Sequence, residues 1–221
     1  HYNTRPLEKL LLFLVSFFLY KITVVSAAVM LDFPWLVRRK MLKIENPVEI
    51  HEVIEPQENK KKHRKILLNI GRLTEQKDQL TLVKAFGLIA KKFPTWDLKI
   101  IGEGELKQTI QDEVTRLNLN GRVILHPNTK KIFDEYAAAD IFVNSSIYES
   151  FGLCTAEAMV NGLPTVGFVD CPGTNELISH GENGLLVGTE NRVQNLSQTL
   201  GNLMEDQNYR RYLGNNGRNL I

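Results

Sequence analysis

Glu149 and Glu157 flank seven residues, among them Phe151, Gly152 and Leu153, in SSIYESFGLCTAEAMVNGLP from Ser145 to Pro164. The stretch reads as a loop running into a helix. The first N–H groups of a helix lack intrahelical acceptors and carry partial positive charge, so they attract an anion. Gly152 has no Cβ and lets that anion approach the backbone. A diphosphate suits such a place. Two carboxylates facing a diphosphate would repel it, but they make sense as acceptors for hydroxyl groups on its two sides. Glu149 would take a sugar and Glu157 a ribose, the device of dinucleotide sites. The charge of the diphosphate needs cations, and the segment GRLTEQKD supplies Arg72 and Lys77 directly after Gly71. Arginine offers a planar fork to phosphate oxygens and lysine a mobile point charge. Asp-x-Asp, the usual clamp for a divalent ion on such a substrate, does not occur in the chain. The expectation is therefore no metal and no resident cofactor, with side-chain cations facing the leaving diphosphate.

These residues need a scaffold that brings distant loops together. Ile66–Ile70 reads as a buried strand, and Leu80, Val83, Phe86, Ile89, Ala90 and Phe93 recur at helical spacing until Pro94. Strands follow at Leu98–Ile101, Val123–Leu125, Ile141–Asn144, Thr165–Phe168 and Gly184–Val187, with helices over Glu105–Leu117, Ile132–Ala139 and Leu153–Val160. Two polar-faced helices start from about Asn191. Alternation of this kind predicts a doubly wound parallel α/β sheet, in which ligands lie beyond the carboxyl ends of the strands. The loops to read are then Gly71–Asp78, Gly102–Glu105, His126–Lys130, Ser145–Gly152 and Val169–Thr174.

The first 47 residues differ. Leu10–Leu31 is apolar apart from Lys21, which is long enough to span a bilayer. A central lysine opposes insertion, and the β-branched ITVVS suits a strand, so a buried helix plus strand is favoured over a span. Lys60, Lys61, Lys62, His63, Arg64 and Lys65 form a basic run, read as a solvated linker, with lipid head groups or a nuclear-targeting patch as alternatives. Over 221 residues, 27 Lys+Arg against 25 Asp+Glu leave a net charge of +2, which excludes a strongly basic nucleic-acid binder and an acidic disordered chain. Cys154 and Cys171 cannot form a disulfide framework, and a reducing compartment fits. His1 stands where a Met is expected, so the chain is read as a fragment or a processed product.

Other signals are weaker. Gly102-Glu103-Gly104 begins like a dinucleotide fingerprint, but Lys107 occupies the third glycine position, so a tight turn is expected. Cys154 at a helix start is placed for a lowered thiol pKa, yet no His stands near it in sequence, and a thiol catalyst is set aside. Asn175-Glu176 after Gly173 reads as a helix cap, with a substrate-side contact as the alternative.

Taken together, KIENPVEI, GRLTEQKD, IIGEGE, AAADIFVNSSIYESFG, AEAMVNGLP and GTNELISHGENGLLV resemble the C-terminal domain of the family 4 retaining, GT-B-type nucleotide-sugar glycosyltransferases. The resemblance runs from about Lys43 to Val187. KITVVSAAVM is similar, more weakly, to the last strand and helix of that family's N-terminal domain. It implies residues 1–47 as the end of an acceptor domain and residues 48–221 as a Rossmann-like nucleotide-sugar-binding domain. It also implies roles. Arg72 and Lys77 would bind the donor diphosphate, and Glu149 would hold sugar hydroxyls. Phe151, Gly152 and Leu153 would cap sugar and phosphate with backbone groups, and Glu157 would take the ribose. The loop His126–Asn128 would touch the base, with Asn128 as the contact. His126 and Asn46-Pro47 depart from the family's usual residues.

The implied activity is retaining transfer of a hexosyl group from a nucleoside-diphosphate sugar, with UDP the expected carrier, to a glycan or lipid-linked acceptor. Catalysis rests on Arg72, Lys77 and Glu149, in polysaccharide or glycolipid synthesis. The expected location is cytoplasmic, with peripheral contact at the inner face of the membrane, and no nucleic acid is bound. The rivals are a nucleotide-sugar-binding half without activity, a GT-B-type epimerase and a phosphorylase.

Overall fold

In a computed structural model, residues 6–31, 33–49 and 64–220 are described. The chain divides into two compact units, His1–Pro47 and Val48–Ile221. The smaller unit contains α1 (Pro6–Ser16), β1 (Ile22–Val24), α2 (Ala27–Leu31), α3 (Trp35–Arg38) and β2 (Met41–Lys43), with β1 and β2 parallel. The apolar stretch is thus broken into helix, strand and helix. No helix among the described residues is long and apolar enough to cross a membrane. Nor is the first helix buried, since Leu10, Leu11 and Leu14 are exposed and Phe18 beyond its end is 90% exposed. The reason is size: Val24, Val37 and Met41, with Phe13, Ile22, Val29, Met30 and Phe33 around them, make a core too small to cover the helix.

The larger unit runs β3 (Lys65–Ile70), a 3-10 turn (Glu75–Lys77), α4 (Gln79–Ile89), β4 (Trp96–Ile101), α5 (Lys107–Arg116), β5 (Val123–His126), α6 (Ile132–Ala138) and β6 (Ile141–Val143). It continues with α7 (Leu153–Val160), β7 (Thr165–Phe168), α8 (Thr174–Leu177), β8 (Gly184–Val187), α9 (Arg192–Glu205) and α10 (Gln207–Leu220). Six parallel strands form one sheet in the order β5-β4-β3-β6-β7-β8. Successive side chains point to opposite faces. Leu67, Ile100, Ile141 and Val143 join the core beneath α4, α5 and α9. Leu68, Ile101 and Phe142 join Tyr136 and Ala158 beneath α6 and α7. Both faces are covered, as a parallel sheet requires.

Strand order reverses between β3 and β6. At such a switch point the loops after the two strands diverge and leave a crevice at the carboxyl edge. The loops in question are those after Ile70 and Val143. Of the basic run, Lys60, Lys61, Lys62 and His63 lie outside the described residues. Arg64 and Lys65 are not a solvated linker, because Lys65 opens β3 and Arg64 is ion-paired with buried Asp97.

Candidate functional site

The loop after β3 is held by its neighbour. Leu73 N donates to Glu103 O at 2.9 Å, and Leu106 N donates to Leu73 O at 3.0 Å. A Cβ on Gly102 would collide with the Gly71 carbonyl, and one on Gly104 with that of Leu73. Gly102 and Gly104 therefore permit a backbone-to-backbone approach that shapes the loop carrying Arg72. The 3-10 turn then aims Lys77 at the loop after β6. Ser145 Oγ donates to Lys77 O at 2.7 Å, Ile147 N to Gln76 O at 2.9 Å, and Gln76 Nε2 to Tyr148 O at 2.8 Å.

Across this seam Lys77 Nζ lies 2.5 Å from Glu149 Oε1. Both side chains are largely covered, at 19% and 15% exposure. Ser146 Oγ donates to the same carboxylate oxygen at 2.7 Å. Glu149 Oε2 has no donor among the described residues and remains an acceptor. An ammonium carries three N–H groups, so Lys77 keeps donors for a second anion. Gly71 lies under the lysine stem, with its notional Cβ 3.4 Å from Lys77 Cδ. Arg72 is exposed, and its guanidinium has no partner among the described residues.

Gly152 caps α7 with φ +86°, a conformation that favours glycine. It packs on Thr174, whose Oγ1 would be 3.3 Å from a Cβ there. Gly173 in turn passes so close that a Cβ would stand 2.8 Å from Glu149 O. The amides of Thr155 and Ala156 both donate to Gly152 O. Those of Gly152, Leu153 and Cys154 have no acceptor among the described residues, so the amino end of α7 presents free donors. The Phe151 side chain is buried in the fold, and only its backbone is available to a ligand. Glu157 lies one turn along α7, where Tyr136 donates its hydroxyl to Oε2 at 2.7 Å. Burial raises the Glu157 carboxyl above its usual range, and the tyrosine hydrogen bond partly opposes this.

The structure thus brings Lys77 onto Glu149, with Gly71 and Arg72 in the same loop and Gly152, Leu153 and Glu157 on the adjoining helix. Asn128 is not joined to them. It lies exposed after β5 on the same sheet edge, with β4 and β3 intervening before the switch point. Two weaker signals are decided by the structure. The Cys154 thiol is pushed up to about 11 by burial and by Glu157, so the helix terminus does not activate it. Asn175 is inside α8 rather than a cap, and its side chain donates to Val169 O at 2.8 Å.

Sequence reasoning missed Tyr136, which looks like a core aromatic, and Arg192. Arg192 stacks on Phe168 at 3.6 Å to the ring centroid, pairs with Asp170 at 3.0 Å and Asp78 at 3.7 Å, and donates to Ser145 O at 3.4 Å. It ties the base of both site loops together. An arginine in the first turn of a helix opposes the macrodipole, and that unfavourable position was the available signal.

A family model described as glycosyl transferases group 1 matches residues 51–220. A poly(glycerol-phosphate) alpha-glucosyltransferase of Bacillus subtilis is 33% identical over 62% of this chain and 20% of its own length. The C-terminal domain of LpcC, a glycosyl transferase group 1 family protein from Francisella tularensis, is 26% identical. It superimposes with a TM-score of 0.67 over 79% of this chain and 93% of that domain. A TarM variant from S. aureus, in complex with fondaparinux, alpha-GlcNAc-glycerol and UDP, is 24% identical with a TM-score of 0.82, over 92% of this chain and 41% of its own. The chain spans about two fifths or less of the curated relatives it matches. It belongs to the glycosyl transferases group 1 family, and its doubly wound sheet is that of the GT-B-type glycosyltransferases.

Proposed function

We propose that this chain is the donor-binding part of a retaining hexosyltransferase of family 4. Its donor is a nucleoside-diphosphate sugar, its carrier UDP, and its acceptor the hydroxyl of a glycan or lipid-linked acceptor in polysaccharide or glycolipid synthesis. The observation that carries the reading is the Lys77–Glu149 pair at the switch point, beside the unpartnered amides of α7. The glucosyltransferase of B. subtilis and the UDP bound by TarM support the glucosyl chemistry and the carrier.

In this reading the bond between the anomeric carbon and the β-phosphate oxygen breaks, and its electron pair leaves with the diphosphate. Arg72, Lys77 and the amides of Gly152, Leu153 and Cys154 meet that charge without a metal ion, by electrostatic stabilisation of the departing group. The acceptor oxygen bonds to the anomeric carbon on the face just vacated. Its proton passes to a phosphate oxygen, and configuration is retained. Glu149 Oε2 accepts from sugar hydroxyls and Glu157 from the ribose, while the Asn128 loop reaches the base. Residues 1–47 would end an acceptor-side domain. Free Cys154 and Cys171 suit a cytoplasmic setting.

A thermal-shift screen of uridine, guanosine and adenosine diphosphates and their sugars tests this. UDP and UDP-sugars are expected to raise the melting temperature most, because a ligand that binds only the folded state stabilises it. No shift with any of the three nucleotides would remove the reading.

A further inference from the structure

We propose that Tyr136 is a positioning residue for the nucleotide ribose, orienting the Glu157 carboxylate through its phenol hydroxyl. The inference rests on the ribose role proposed for Glu157. Tyr136 is fully buried on α6, its ring 6.3 Å from that of Phe133 and 5.9 Å from that of Phe142, and its hydroxyl reaches out of the apolar cluster. There it donates to Glu157 Oε2 at 2.7 Å and lies 3.3 Å from Cys154 O. A phenylalanine would fill the same apolar space. A buried hydroxyl is costly unless bonded, and of the two α7 acceptors within its reach the Glu157 carboxylate is the closer and the charged one, so it is the main partner.

The consequence is directional. A glutamate on a helix has three soft torsions, and a diol recognises it only if the carboxylate plane is fixed. The tyrosine comes from a different helix and is immobilised by its ring packing, so it fixes that plane independently of α7. With Oε2 filled, Oε1 has no donor among the described residues and is left to accept from ribose. Burial pushes the Glu157 carboxyl toward its neutral form and the phenol hydrogen bond favours the ionised one, so the same contact keeps Oε1 an acceptor. The phenol cannot give up its own proton, because burial raises its pKa far above the usual value.

The test is the ratio of affinities for UDP and 2′,3′-dideoxy-UDP, measured by calorimetry on the wild-type chain, Tyr136→Phe and Glu157→Ala. Wild type is expected to prefer UDP by roughly 10- to 100-fold, the range of a hydrogen bond to a charged acceptor. Tyr136→Phe should cut that preference at least about fivefold, leaving dideoxy-UDP affinity nearly unchanged. A preference kept in Tyr136→Phe but lost in Glu157→Ala would overturn the inference alone. Equal weakening of both nucleotides in Tyr136→Phe would also overturn it, by showing a merely structural role. A preference kept in Glu157→Ala, or no UDP binding to wild type, would overturn the ribose reading and this inference with it.

Discussion

At the amino ends of the strands, Asp97 is 3% exposed and accepts from Arg64 Nη2 at 2.5 Å and from Arg122 Nε at 3.0 Å. The two guanidinium groups also donate to Pro94 O and Phe93 O. At the carboxyl ends, Lys77 and Glu149 are also paired and largely covered, but Glu149 Oε2, the Arg72 guanidinium and three amides of α7 have no partner among the described residues. One cluster is closed and the other open. A closed cluster answers each charge from within the chain and acts on stability. An open one holds charges in place with bonding capacity unused, which is what a ligand requires.

Substitutions should separate the two ends. The largest effect is expected for Asp97→Ala, which removes the buried carboxylate that accepts from Arg64 and Arg122 at the closed end. It should cost about 3 kcal/mol, lowering the melting temperature by roughly 6–12 °C in calorimetry. UDP affinity of the folded fraction should stay unchanged. Arg72→Ala and Lys77→Ala, at the open end, should each cut turnover of a UDP-sugar at least ~100-fold. Loss of exposed Arg72 should leave thermal stability nearly intact, whereas loss of Lys77 also strands the covered Glu149 carboxylate and lowers the melting temperature. Near-normal turnover in either would remove that residue from the charge-stabilising role.

Gly104→Ala sits between these classes, since its methyl group would displace the Leu73 carbonyl and with it the Arg72 loop. A loss of about 2 kcal/mol in stability is expected together with weaker UDP binding, both measurable in one thermal-shift titration. Stability loss without a change in UDP affinity would show that the loop does not position the site.

The smallest effect concerns Glu157, whose carboxyl is raised in the folded state by burial. The folded protein therefore holds that proton more tightly than the unfolded chain. This contribution is fully present below the ordinary carboxylate range and is lost as pH rises through the folded value. Glu157→Gln should melt slightly higher than wild type at pH 7, and the gain should vanish on acidification below about pH 4. A variant less stable at neutral pH would show that the ionised carboxylate is structurally favourable.

Much of this was legible in the sequence because the signals are local. The periodicities placed the sheet and its order of elements, and α7, β7 and β8 begin and end where Leu153–Val160, Thr165–Phe168 and Gly184–Val187 were read. The helical spacing to Phe93 overran α4, which stops at Ile89. Phe93 is still buried there by the turn that follows, so burial outlasts the helix. The four-residue α8 is too short to show a period. The Lys77–Glu149 contact joins positions 72 residues apart and is visible only once β3 and β6 are known to be neighbours. Tyr136 and Arg192 escaped for a different reason: an aromatic in an apolar pattern and a charge at a helix start look ordinary until their polar atoms are traced.

The most direct measurement follows the backbone amides of isotope-labelled protein by nuclear magnetic resonance while UDP is added. The expected result is large shifts at Gly152, Leu153 and Cys154, accompanied by Arg72 and Lys77, with Arg64, Asp97 and Arg122 unmoved. Binding of UDP that leaves the α7 amides unshifted, or that moves the Asp97 end instead, would contradict the assignment of the switch point as the diphosphate site.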